Sequence, residues 1–81
     1  MVDIKTVSLP YADLQYVDFQ DANLQNANFQ YANLRNANFR NANLQNANLQ
    51  YANFQYANLR YANLRNANLQ DADGSSVLFG G

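Results

Sequence analysis

Large apolar residues recur at every fifth position: Leu14, Phe19, Leu24, Phe29, Leu34, Phe39, Leu44, Leu49, Phe54, Leu59, Leu64 and Leu69. Two residues before each stands a small one, Ala12, Val17 and then Ala from Ala22 to Ala67. Between them lies Asp13 or Asp18, then Asn at each step from Asn23 to Asn68. Ile4 and Leu9 extend the bulky row upstream, and Val2 and Val7 extend the small one. After a break at Gly74, Val77 and Phe79 resume both rows.

This interval fits neither regular element. In an α-helix, five residues turn the chain about 500°, or about 140° net, so the Leu/Phe series would spiral over every face. In a straight strand, an odd interval throws successive Leu residues onto opposite faces. Within one unit, however, Ala-Asn-Leu reads in-out-in, as a short strand does. A chain that extends for about three residues and then turns a corner reconciles the two observations. Repeated in one sense, such corners wind a coil whose axis is lined by Leu, Phe and Ala, with no unit burying its apolar face alone.

The corner residues suggest the number of sides. Tyr11, Tyr31 and Tyr51 align at a lag of twenty, as do Asn26, Asn46 and Asn66. Phe19 matches Phe39, and Leu24 matches Leu44 and Leu64. A lag of fifteen aligns fewer, which favours four sides over three, and with four the chain of 81 residues makes about four coils. The axial row comprises Ile4, Leu9, Leu14, Phe19, Leu24, Phe29, Leu34, Phe39, Leu44, Leu49, Phe54, Leu59, Leu64, Leu69 and Phe79. Ala fits near a corner where larger groups crowd. Asn tolerates turn geometry, and stacked copies are expected to form amide ladders between coils. Pro10 occupies the first corner position after Leu9, where its fixed φ suits a turn.

The run Ala22-Asn23-Leu24-Gln25-Asn26, repeated from residue 12 to 73, resembles the signature of the pentapeptide-repeat proteins. The resemblance implies an all-β fold: a right-handed quadrilateral parallel β-helix, with four pentapeptides per coil. On that reading residues 1–81 form one solenoid, with an N-terminal coil or cap over 1–11, regular repeats over 12–73 and a C-terminal cap or tail over 74–81. The family includes dimeric, rod-shaped proteins that mimic DNA and bind gyrase. It has no common catalytic centre, so no catalytic residue carries over. The unbroken run of Ala from Ala22 to Ala72 and the narrow choice of corner residues point to a consensus-like or engineered repeat. A natural repeat expanded by recent duplication is the alternative.

Composition narrows function further. Five Lys and Arg balance six Asp and Glu, too even for a strong field toward nucleic acid or anionic membrane. Cysteine and histidine are absent, which removes thiolate sites, the commonest metal ligand and the commonest general base. No apolar run reaches membrane-span length and no signal peptide is evident, so a cytoplasmic location is the default expectation. Hydroxyl groups at Thr6, Ser8, Ser75 and Ser76 have no histidine base. No enzyme, cofactor or metal is therefore expected, and no specific nucleic-acid, membrane or small-molecule ligand.

The surface offers candidates of another kind. Tyr11, Tyr31 and Tyr51 should form one outward column, with Tyr16 and Tyr56 on the next corner and Tyr61 beyond. With Arg35 beside them, they make either a contact surface or a ladder that stabilises the coil. Arg40 and Arg60 are twenty residues apart and should stack. Acidic residues sit near the ends, at Asp3, Asp13, Asp18, Asp21, Asp71 and Asp73, where they deter edge association. At the C-terminal end Leu78 takes a position held elsewhere by Asn, Asp or Ser. Two readings stand for Val77, Leu78 and Phe79: a homodimer contact, or a turn folded across the last coil. The functional expectation is a non-catalytic repeat scaffold or interaction rod. The alternative is a regulatory binder resembling the gyrase-inhibiting members.

Overall fold

The computed structural model describes residues 6–80. The expected core position Ile4 lies outside the described residues. Within them the chain winds as a parallel coil, with isolated bridges joining the middle residue of one side to the one twenty further on. The bridges run from Ser8–Asn28, through Asp13–Asn33 and Asp18–Asn38, to Asn58–Leu78. A lag of twenty at five residues per side gives four sides. Among the described residues no helix is long and apolar enough to cross a membrane.

Each corner is built the same way. The carbonyl of a Leu or Phe accepts from the N–H of the Ala three residues on, as in Ala32 N–H to Phe29 O at 3.0 Å. The third residue of the turn takes a left-handed conformation, with φ between 56° and 63° from Tyr11 to Ser76. A closing hydrogen bond with positive φ at the third residue is the pattern of a type II turn. Pro10 sits at the second position of such a turn, as its fixed φ favours.

One unit shows where every backbone N–H goes. Tyr31 N–H donates to Gln50 O at 3.0 Å, Asn33 N–H to Ala12 O at 2.8 Å and Leu34 N–H to Asn53 O at 2.6 Å, all across coils. Ala32 closes the turn. The fifth, Arg35 N–H, donates to the side chain of Asn33 at 3.3 Å. Thus the Asn amide does not primarily ladder between coils, contrary to expectation. Its Oδ1 bends back to cap the N–H two residues on, an Asx turn, at each step from Asp13 to Asp73. Ser8 departs from the pattern because the residue two further on is Pro10, which has no N–H to cap. Across coils, Asn38 Nδ2 reaches Asp18 Oδ1 at 3.3 Å.

The axis is filled from Leu24 to Leu59, with Phe29, Phe39, Leu34 and Leu44 fully buried. Phe19 and Phe39 stack at 5.3 Å, and Phe29 meets both edge-on at 5.8 and 6.2 Å. Inward Ala residues from Ala27 to Ala57 are buried too. Leu9, Leu14, Phe19 and Leu64 are half-buried against this core. Two expected core positions depart from it: Leu69 is 41% exposed and Phe79 62% exposed. Axial side chains are covered by the coils above and below, and these two lie in the last coil, with cover on one side. Residues 74–80 continue the winding and do not fold across the end. Ser75 N–H is capped by Asp73, Leu78 bridges Asn58, and Tyr61 N–H donates to Gly80 O.

Gly74 stands where a bulky axial residue is expected, and Phe54 explains it. A Cβ at Gly74 would lie 2.7 Å from Phe54 Cε2 and 2.9 Å from Cζ. The ring of one coil fills the space that the next coil would otherwise use.

Two stability measurements follow, both by urea unfolding. Asn43→Ala strands the Gln45 N–H and should cost about 1 kcal/mol, whereas Asn43→Asp keeps the acceptor and should cost clearly less. Gly74→Ala should cost about 1–3 kcal/mol in the native background and less than half of that alongside Phe54→Leu, because the clash is with the ring. Equal costs in the two backgrounds would contradict this packing account.

Candidate interaction faces

Three positions of each unit are committed to the coil. The two corner positions face outward and are free to vary, so candidate function resides there. Four corners run along the coil. The first carries residues 10–11, 30–31, 50–51 and 70–71. The second carries 15–16, 35–36, 55–56 and 75–76. The third carries 20–21, 40–41 and 60–61, and the fourth 25–26, 45–46 and 65–66. All six tyrosines lie on the first three corners. The fourth presents Asn26, Asn46 and Asn66.

The first corner carries two parallel ladders. Tyr11 and Tyr31 stack with ring centroids 4.9 Å apart and planes 1° from parallel, and Tyr31 and Tyr51 follow at 4.8 Å and 3°. Beside them Gln30 Nε2 donates to Gln50 Oε1 at 2.8 Å, and Gln50 Nε2 to Gln70 Oε1 at 3.2 Å. Amide ladders thus exist at Gln, not at the Asn positions where they were expected. The ring spacing equals the strand spacing of a sheet, so the coil itself sets the stack. The rings remain exposed at their edges.

Arg35 lies on the second corner, at the far end of the side that Tyr31 begins. Its guanidinium carbon sits 6.0 Å from the centre of the Tyr56 ring. Arg40 repeats the arrangement one corner on, 5.6 Å over Tyr61. These contacts join residues twenty-one apart, one coil down and one position along. The predicted Arg40–Arg60 column therefore has its upper member engaged with an aromatic face. Spacing of Arg and Tyr at that diagonal was visible in the sequence but is meaningful only once the coil is four-sided.

The first and second corners bound one side, with Asp13, Asn33, Asn53 and Asp73 along its middle. Tyr11, Tyr31, Tyr51 and Arg35 are thus brought to one side's two edges. Asp73 is held below the usual carboxylate range, chiefly by the Ser75 hydroxyl at 2.7 Å, then by the Ser75 N–H and by Arg35. Tyr51 is pushed above its ordinary value by the charge of Asp71, which follows it in the column, then by Tyr31, burial and a hydrogen bond to Asp71. Leu78 and Phe79 are exposed at the C-terminal end, while Val77 packs inward against the core. Among the described residues, no group of three or more carboxylates converges as a metal site would require.

Because the Tyr51 value is raised, the folded state favours the neutral phenol. That contribution to stability is present below the ordinary tyrosine range and is lost as pH rises through the raised value. Asp71→Asn should lower the Tyr51 midpoint toward the ordinary value, read from its ring resonances in an NMR pH titration. An unchanged midpoint would remove Asp71 as the cause.

Solved structures show where such coils occur. HetL, a pentapeptide repeat protein involved in heterocyst differentiation regulation in the cyanobacterium Nostoc sp. strain PCC 7120, is 42% identical over 88% of this chain, with a TM-score of 0.81. AT2G44920, from the thylakoid lumen of Arabidopsis thaliana, is 34% identical over 83% of this chain, with a TM-score of 0.82. Rfr23 from the cyanobacterium Cyanothece 51142 is 30% identical over 95%, covering 63% of that protein, with a TM-score of 0.57. The chain spans 35% of HetL and 46% of AT2G44920, well under the length of either. No curated protein sequence matches. The family model for the pentapeptide repeat region matches residues 12–81, and with these coils and identities the chain belongs to the pentapeptide-repeat family.

Proposed function

We propose that the chain is a non-catalytic interaction scaffold, a right-handed rod of about four coils that displays one aromatic side, with a single arginine on it, to a protein partner. The observation that carries this reading is the Tyr11–Tyr31–Tyr51 stack, parallel within 3°, facing Arg35 across a single side. Tyr and Arg are the side chains most enriched where proteins meet, and here both are held rigid before any partner arrives. Rigid display lowers the ordering cost of association. The regularity of the buried rows supports a consensus-like sequence whose variation is confined to display positions.

A DNA-mimicking reading needs a continuous acidic stripe. The described carboxylates instead group at the ends, at Asp13, Asp18 and Asp21 and at Asp71 and Asp73, with Arg35, Arg40 and Arg60 between. HetL's association with differentiation control is consistent with a regulatory contact, but the chain covers a third of that protein, so no partner transfers. The apolar end at Leu78 and Phe79 remains the place for contact between copies.

Photo-cross-linking tests the display reading. A cross-linker at Gln55, on the second corner one coil on from Arg35, should capture one defined protein in a lysate of the source cells. The same group at Asn46, on the fourth corner, should not. The combined Tyr51→Ser and Arg35→Gln changes should abolish capture without altering the circular dichroism spectrum. Equal capture from both corners would defeat the proposal.

A further inference from the structure

The two ends of the coil are not alike in their open backbone groups. Along the C-terminal edge, two successive sides each leave two N–H groups and one carbonyl without a backbone partner among the described residues. They are the N–H groups of Leu69 and Asp71 with the Ala67 carbonyl on one side, and of Gly74 and Ser76 with the Ala72 carbonyl on the next. Along the N-terminal edge the balance is inverted. There the carbonyls of Asp13 and Gln15 and the N–H of Asp13 have no backbone partner among the described residues, and Asp18 and Gln20 repeat the set. Inside the coil these are the groups that meet, as Leu34 N–H meets Asn53 O and Asn53 N–H meets Ala32 O.

We infer that the C-terminal end docks onto the N-terminal end of a second copy, continuing the coil head to tail. Each of these sides then gains the three hydrogen bonds that join interior coils. Leu69 falls on Leu9 of the next copy, and Phe79 on Phe19, as Phe39 does within one chain at 5.3 Å. Exposed apolar surface at Leu69, Leu78 and Phe79 is covered by this contact. A symmetric pair of C-terminal ends would oppose two N–H groups to two N–H groups on each side, and its backbone stays unsatisfied. Head-to-tail contact is heterologous and does not close on itself, so it propagates.

The outward middle row limits this growth. It carries Asn at every step from Asn23 to Asn68 and Asp at Asp13, Asp18 and Asp73. Head-to-tail docking sets Asp73 directly against Asp13 of the next copy, a like-charge rung that the middle row contains between no two coils of one chain. Asp71 and Asp21 add to the acidic ends, and Arg35 is the cation whose charge favours the Asp73 carboxylate. The charge holds the native chain toward short assemblies.

Sedimentation across micromolar to millimolar concentration tests the contact. The average mass should rise past two copies with no plateau, and Asp13→Asn with Asp73→Asn should strengthen association at least several-fold. Phe79→Arg changes an exposed residue, so its fold should persist by circular dichroism. Alone it should remain a monomer. Labelled, it should still bind native chains, because its N-terminal end is intact. A plateau at two copies, with labelled Phe79→Arg binding nothing, would show tail-to-tail pairing and overturn the inference. A concentration-independent monomer in the Asn-substituted variant would overturn it as well.

Discussion

The whole structure depends on a left-handed residue at every corner. One positive φ per unit turns the chain, and the repetition of that turn converts a linear period into a tube. The turn creates an accounting problem. Its closing bond and the coil-to-coil bonds satisfy four of the N–H groups in a unit, and the fifth points where no carbonyl can reach. The Asx side chain two residues earlier supplies the missing acceptor. Asn and Asp serve equally for that bond, but they differ once stacked. Carboxylates one strand spacing apart repel by about 1 kcal/mol even at the dielectric of water. A column of Asn avoids this repulsion, and Asp appears where a column begins or ends.

Left-handed backbone costs an ordinary L-residue about 1–2 kcal/mol. Asn and Asp tolerate it, which explains the corners at Asn26, Asn36, Asn41, Asn46 and Asn66. Six corners instead carry tyrosine, and most of these have a compensating contact. Tyr11, Tyr31 and Tyr51 stack on one another, an arrangement worth about 0.5–1.5 kcal/mol per pair. Tyr56 and Tyr61 lie beneath arginines, each contact adding about 0.5–1 kcal/mol when exposed. Nothing in the structure explains Tyr16. Tyrosine is thus an awkward choice for the backbone that its neighbours largely offset.

The axial row, the four sides and the Tyr column were legible because each is a spacing, and spacing survives without coordinates. What escaped was direction. An outward Asn can reach along the rod or back along its own chain, and the period is identical in both cases. The clue that separates them was present at Ser8, where the Asx residue is missing two positions before a proline. The Arg35–Tyr56 contact escaped for a related reason, since it depends on how a corner side chain leans. Leu69 and Phe79 were misplaced because a period says which residues face the axis and nothing about which coil lies last. Gly74 looked like a defect, and Phe54, twenty residues earlier, supplies its cause.

A repeat of this kind separates folding from recognition within each unit. Ala, Asx and Leu or Phe fix the side, and the hydrogen bonds of units from Asn26 to Arg60 use every N–H within them. Among the described residues, the carbonyl of the left-handed corner residue is the backbone group that remains unclaimed at each turn. The backbone therefore offers a partner almost nothing along the sides, and recognition there must run through the two corner side chains. Those side chains stand on a lattice fixed by strand spacing in one direction and by the width of a side in the other. A substitution at a corner that keeps the left-handed turn alters one lattice point and leaves the coil intact, so the outer surface can diverge while the fold stays constant. At the ends the relation reverses. There the unclaimed groups belong to the backbone itself, which is why the contact we propose joins one coil end to another.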